Sequence, residues 1–169
     1  MSQDAKFWDK SAKGYAKSSI GDEEAYQRKL ADTRKYLKPE MNVLEMACGT
    51  GTTAIAHAPY VKHILAMDIS QEMLNFAKSK ADEAGVENIS FACSDLENFE
   101  VAESSLDVVM AHSILHLLPE PEMAIEKAFK ILKPGGYFVS NTACIADASF
   151  IWRLVLPVVR FLRLAPYVK

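Results

Sequence analysis

The sequence predicts an α/β fold, doubly wound on a mainly parallel sheet of strand order 3-2-1-4-5 with helices on both faces. Three observations lead there. Short apolar runs alternate with stretches of helical periodicity, which calls for right-handed crossovers between parallel strands. The runs are continuous rather than alternating, as in strands buried on both faces. A glycine turn, Gly49 to Gly51, joins the first apolar run directly to a helical stretch. That arrangement places a ligand beyond the carboxyl ends of the strands.

Phe7 to Lys17 reads as a short helix with Phe7, Trp8, Ala12 and Tyr15 near one face. Asp22 to Leu37 reads as a second, with Tyr26, Leu30, Thr33 and Leu37 at helical spacing. Acids (Asp22, Glu23, Glu24) lead it and bases (Arg34, Lys35, Lys38) end it, as the helix dipole favours, and Pro39 stops it. Strands are expected at Asn42–Ala47, His63–Met67, Ile89–Cys93, Leu106–Ala111 and Tyr137–Ala143. The helices between them are Thr52–Ala58, a segment capped by Ser70 and closed by Gly85, and Glu122–Leu132. In the Ser70 helix Met73, Leu74, Ala77, Ala81 and Ala84 point inward; in the last, Ala124, Ile125, Ala128, Phe129, Ile131 and Leu132 form the apolar side. The "KPGG" of Lys133 to Gly136 is expected as a turn.

At 169 residues, half hydrophobic and a quarter charged, the chain has material for one domain with a real core. The expected division is a core over 1–143 with N-terminal cap helices, and an apolar helical tail over 144–169 in the same domain. A net charge of -3 without a basic stripe gives no reason to expect a nucleic-acid partner. The start "MSQDAKFWDK" is charged and lacks the apolar stretch of a signal peptide, and Cys48, Cys93 and Cys144 form no C-x-x-C pair. Reduced thiols in a cytoplasmic protein, with no metal site, are expected.

Gly49, Gly51 and Ala54 match G-x-G-x-x-G/A between a strand and a helix, and Asp68 closes the next strand nineteen positions after Gly49. A carboxylate there can accept both hydroxyls of a ribose, so a nucleoside is the expected ligand. A dinucleotide and S-adenosylmethionine both contain one. Glu45 favours the second, because a nearby carboxylate repels a pyrophosphate and tolerates a cationic sulfonium end. His112 and His116 are four apart after the fourth strand, and on a helical turn they would share a face. They read as a general base and polar rim for an acceptor, or as structural histidines; His57 and His63 read as structural.

The stretch "VLEMACGTG" resembles the first motif of the class I S-adenosylmethionine-dependent methyltransferases. "AMDIS", "CSDLENF", "LDVVMAHSILHLL" and "ILKPGGYFV" resemble the pieces that follow it in that family, and the opening "FWDKSAKGY" is similar to its small-molecule type. The resemblance implies methyl transfer from S-adenosylmethionine to a small-molecule acceptor by in-line displacement, with S-adenosylhomocysteine as product. It puts Asp68 on the ribose, Asp95 toward the adenine amino group with Ser94 or Leu96 beside it, and Ile69 and Met73 on adenine and ribose. Glu45 would face the methionine amino end, with the backbone at Ala47 and Gly49 close to it, and Tyr15 would close over the cofactor. A nicotinamide-dependent oxidoreductase and a non-catalytic S-adenosylmethionine-binding module remain as alternatives.

The family sheet has seven strands and this chain offers five, which implies that two more follow Lys169. The edge left open invites association, for instance as a homodimer. The tail, with Arg153, Arg160 and Arg163 on one side and a kink at Pro157, reads as a lid favouring an apolar acceptor, as a subunit contact, or as a membrane-surface segment over 150–165.

Overall fold

The computed structural model describes residues 3–142, so the readings placed on Ala143, on Cys144 and on the tail lie outside the described residues. In chain order the elements are α1 (Gln3–Lys17), α2 (Glu23–Arg34), β1 (Asn42–Met46), α3 (Thr52–His57), β2 (His63–Asp68), α4 (Gln71–Glu83), β3 (Ile89–Cys93), β4 (Leu106–His112), α5 (Pro121–Ile131) and β5 (Leu132–Asn141). Short 3₁₀ turns follow α3 at Ala58–Tyr60 and precede α5 at Leu115–Leu117. The strands form one all-parallel sheet of order β3-β2-β1-β4-β5, as the alternation of elements predicts.

Central β1 pairs on both sides, Val43 lying opposite Ile64 of β2 and Val108 of β4. Successive side chains point to opposite faces, and each face has its own core. Val43, Ile64, Ala66, Val108 and Met110 pack with Ala54 and Ala58 around α3 and with Leu74 of α4. Leu44, Met46, Met67, Val109 and Ala111 pack on the other side with Ala128 and Ile131 of α5. Full burial of side chains such as Leu44, Ile64 and Met67 stabilises the fold by about 1.5–3 kcal/mol each.

Local chemistry sets the helix ends. Asp22 caps α2 by accepting the Ala25 N–H at 2.9 Å, and Ser70 caps α4 by accepting the Met73 N–H at 3.1 Å. The second helix ends earlier than expected. Beyond Arg34 the amides of Tyr36 and Leu37 bond three residues back, a tighter winding, and Leu37 still packs on the core. Gly85, at φ 64°, ends α4, and Ala84 beside it is exposed rather than inward.

Two expectations fail for tertiary reasons. On α5 the buried stripe is Ala124, Ala128 and Ile131, and its two alanines let the helix lie close to the sheet; Ile125 faces outward and Phe129 is 81% exposed. The "KPGG" segment is a bulge within β5 rather than a turn before it. Leu132 pairs with Leu106 and Tyr137 with Val108, so Lys133 to Gly136 balloon out of the ladder. The bulge closes through the Lys133 ammonium, which donates to Asp107 Oδ1 at 2.7 Å.

Candidate functional site

The strand-to-helix turn after β1 is built on left-handed backbone: φ is 53° at Ala47, 55° at Gly49 and 73° at Gly51. The two glycines serve different needs. A Cβ at Gly51 would lie 2.8 Å from Ala77 Cβ on α4, so Gly51 is required for packing the turn on that helix. A Cβ at Gly49 would meet only the Tyr15 ring, at 3.8 Å; its side is open.

That open side faces a cleft at the carboxyl ends of β1 to β4, formed by two adjoining cavities of 260 Å³ and 110 Å³. Trp8, Ala47, Asp68, Ile69, Ile114 and Leu117 line both. The larger adds Asp4, Ser94, Asp95, Leu96 and Glu97, and the smaller adds Tyr15, Gly49, Met73, His112 and Ser113. The cleft therefore brings together Tyr15, Ala47, Gly49, Asp68, Ile69, Met73, Ser94, Asp95, Leu96 and His112 of the residues singled out from sequence. Glu45, Gly51 and His116 are not in its walls. Asp4, Trp8, Glu97, Ser113 and the apolar run of Ile114, Leu117 and Leu118 also line the cleft, and none of them is expected there from sequence. Only the apolar run carried a local signal, its position directly after a strand.

Among the described residues the walls carry the carboxylates of Asp4, Asp68, Asp95 and Glu97 and no lysine or arginine. Asp68 accepts the Gly49 N–H at 2.8 Å and the Ser70 N–H at 2.9 Å, one on each oxygen. Burial raises its pKa while those N–H bonds pull it back. Asp95 accepts the Asn98 backbone N–H at 2.7 Å and the Asn98 amide, bonds that hold its carboxyl below the usual range.

Glu45 is not the acidic wall that its sequence position suggests. It is 2% exposed, on the face of β1 covered by α3, and burial pushes its carboxyl up to about 8 against the opposing pull of Lys29. At neutral pH it holds a proton and repels no phosphate; the repulsion comes instead from the cleft carboxylates. Lys29 donates to Thr53 Oγ1 at 3.2 Å.

His112 ends β4 and is 8% exposed. Its Nδ1 lies 2.9 Å from Asn141 Oδ1, an oxygen that can only accept, so Nδ1 carries the proton and Nε2 is bare. Burial, then the Lys29 charge, lowers its pKa to about 4, so the ring is neutral in the physiological range. Its Nε2 has no partner among the described residues. His116 does not share a helical face with it, because Ser113 turns left-handed at φ 55° and His116 falls in the following 3₁₀ turn. His57 is fully buried, and desolvation lowers it to about 3. Among the described residues no helix is long and apolar enough to cross a membrane, and no cluster of His, Cys, Asp and Glu is placed to hold a metal ion.

A sequence profile described as a methyltransferase domain matches residues 37–155. The chain is 31% identical over 102 residues to the uncharacterized methyltransferase YcgJ of Bacillus subtilis, across 60% of this chain and 40% of that protein. The crystal structure of YcgJ superposes with a TM-score of 0.65 at 29% identity, covering 68% of this chain and 50% of that one. A ubiquinone biosynthesis O-methyltransferase of Coxiella burnetii is 26% identical over 126 residues, across 72% of this chain and 53% of that protein. The chain thus spans about half the length, or less, of these curated relatives.

Proposed function

This chain belongs to the methyltransferase domain family, and from that premise we propose that it transfers a methyl group from S-adenosylmethionine to a small-molecule acceptor by in-line displacement. One observation carries the reading: among the described residues, a nucleoside-sized cleft at the strand ends has four carboxylates in its walls and no lysine or arginine. Such a cleft disfavours a pyrophosphate and suits a donor whose sulfonium and ammonium outweigh its single carboxylate.

The residues present fit that donor. The Asp68 carboxylate lines both cavities, where it would accept ribose hydroxyls, and Ile69 and Met73 supply apolar surface. Ser94, Asp95 and Leu96 would hold the base, with the Asp95 carboxylate preset by Asn98. Gly49 and the Tyr15 ring border the smaller cavity, where the methionine end would sit; an aromatic face attracts a cation. When bound, the sulfonium supplies a methyl carbon already activated for displacement.

The chain's own contribution is then alignment and exclusion of water, effects that together reach about 7–11 kcal/mol at their best. His112 lines the smaller cavity as a neutral ring fixed by its bond to Asn141, and would serve as the polar rim that orients an acceptor. The small-molecule class rests on the relatives, one of which is named for ubiquinone biosynthesis and another, of Halobacterium salinarum, as an arsenite methyltransferase. The reduced Cys48 and Cys93 suit a cytoplasmic location.

Calorimetry on the full chain with S-adenosylmethionine, S-adenosylhomocysteine and NADH tests the reading. Both sulfur compounds bind and NADH does not. Binding of NADH alone would establish the oxidoreductase alternative.

A further inference from the structure

Helix α1 is a wall of the cleft: Asp4, Trp8 and Tyr15 all line it. The helix lies against α4, with the small side chains of Ala5 and Ala12 buried. Two alanines bury little apolar area, so the polar tie between the helices matters more than it would in a leucine-rich contact. That tie is Asp9. Its Oδ1 accepts the Ser70 hydroxyl at 2.6 Å and the Glu72 N–H at 3.2 Å. Hydrogen bonds to an ionised carboxylate are the stronger kind, and this one also sits at the positive end of α4.

The tie does not stop at α4. Ser70 is fully buried, and its N–H donates to Asp68 Oδ1 at 2.9 Å. The other oxygen of Asp68 accepts the Gly49 N–H at 2.8 Å. An unbroken chain of bonds therefore runs from α1 through Asp9, Ser70 and Asp68 to the glycine turn. It joins the wall that covers the cleft to the two groups beneath it that would meet the ribose and the methionine end. The α4 cap itself does not need Asp9, because the Ser70 hydroxyl already accepts the Met73 N–H.

We propose that Asp9 is a positioning residue for the donor: it latches α1 over the cleft through Ser70 and so sets how fast the donor and its product leave. The latch rests on the reading of the cleft as the S-adenosylmethionine site. Breaking it loosens the wall while leaving every cleft-lining side chain chemically unchanged. The off rate therefore rises while the association rate changes little.

The test is stopped-flow dissociation of S-adenosylhomocysteine from the full chain, followed by the fluorescence of its two tryptophans, Trp8 and Trp152. Asp9→Ala removes the acceptor and, alanine being the strongest helix former, leaves α1 helical. It raises the off rate roughly tenfold, the scale of one charge-assisted bond. Asp9→Asn keeps an amide oxygen for both donors but loses the charge, and dissociates at a rate between those of the wild type and Asp9→Ala. The latch is overturned if Asp9→Ala dissociates at the wild-type rate, or if Asp9→Asn is as fast as Asp9→Ala. Failure of the wild type to bind S-adenosylhomocysteine would instead remove the donor reading. Amide exchange then decides the latch: protection over residues 3–17 that falls in Asp9→Ala and falls less in Asp9→Asn supports it, and equal protection in all three proteins ends it.

Discussion

Asp68 does two jobs with one carboxylate. Its bonds to the Gly49 and Ser70 amides hold the turn, and the same group lines the cleft. Asp68→Ala should therefore fail in two separable ways. Calorimetry should show S-adenosylhomocysteine affinity down by more than about tenfold, and urea titration a loss of about 1–3 kcal/mol from the orphaned N–H groups. Asp68→Asn, which keeps one acceptor oxygen, should recover part of the stability. Glu45 supplies the opposite case, a buried acid with an unmet oxygen. Its native carboxyl titrates near 8 and the unfolded one near 4.5, so the native state holds the extra proton between those values. Stability from this group is full below pH 4.5 and declines as pH rises toward 8. Glu45→Gln should remove that decline, so that its advantage over wild type in denaturant midpoint grows with pH across the window.

At the scale of elements, the glycine turn shows how one motif divides its labour. Gly51 is pressed against α4 and Gly49 is open to the cleft. Gly51→Ala combines a left-handed backbone with a contact at 2.8 Å and should lower the thermal midpoint clearly, with partial rescue by Ala77→Gly, which removes the opposing methyl. Gly49→Ala carries the backbone penalty alone, about 1–2 kcal/mol, and should weaken S-adenosylhomocysteine more than it weakens the fold. Thermal melts with and without ligand on the three variants separate these outcomes. The α5 helix illustrates a different limit. Its sequence offers two apolar stripes, and the one packed on the sheet is Ala124, Ala128 and Ile131, which leaves Ile125 and Phe129 exposed.

For the molecule as a whole, three buried groups shape the pH response. His57 and His112 are neutral in the native state, with pKa values of about 3 and about 4 against an ordinary 6.5. The unfolded chain takes up protons at both as pH falls through 6.5, so their contribution is present above that value and lost below it. Glu45 acts in the other direction between pH 4.5 and about 8. From pH 4.5 to 6.5 the two histidines, joined by His116, which burial also lowers, outweigh Glu45 and the Asp68 carboxyl that burial raises, and above 6.5 Glu45 is the one of these groups still titrating. These groups together predict a stability maximum near pH 6.5, read from urea midpoints across pH 5 to 8. His57→Gln should flatten the acid side and leave the alkaline side unchanged.

Local signals in the sequence carry the succession of elements, the strand order, the glycine turn after β1 and the carboxylate closing β2. Those signals are apolar periodicity, a cap at Ser70 and glycines where φ is positive. Most of the cleft residues followed, because the fold puts strand ends in one place. Tertiary structure alone decided which stripe of α5 is buried, that "KPGG" swells out of a ladder, and that His112 and His116 part company at Ser113. It also decided that Glu45 is a buried, protonated acid and that Asp9 reaches Ser70 across 61 positions. The physical reason is common to all of these. Burial, protonation and long-range hydrogen bonds depend on what the packed chain brings alongside a residue, and neither residue type nor spacing in sequence carries that.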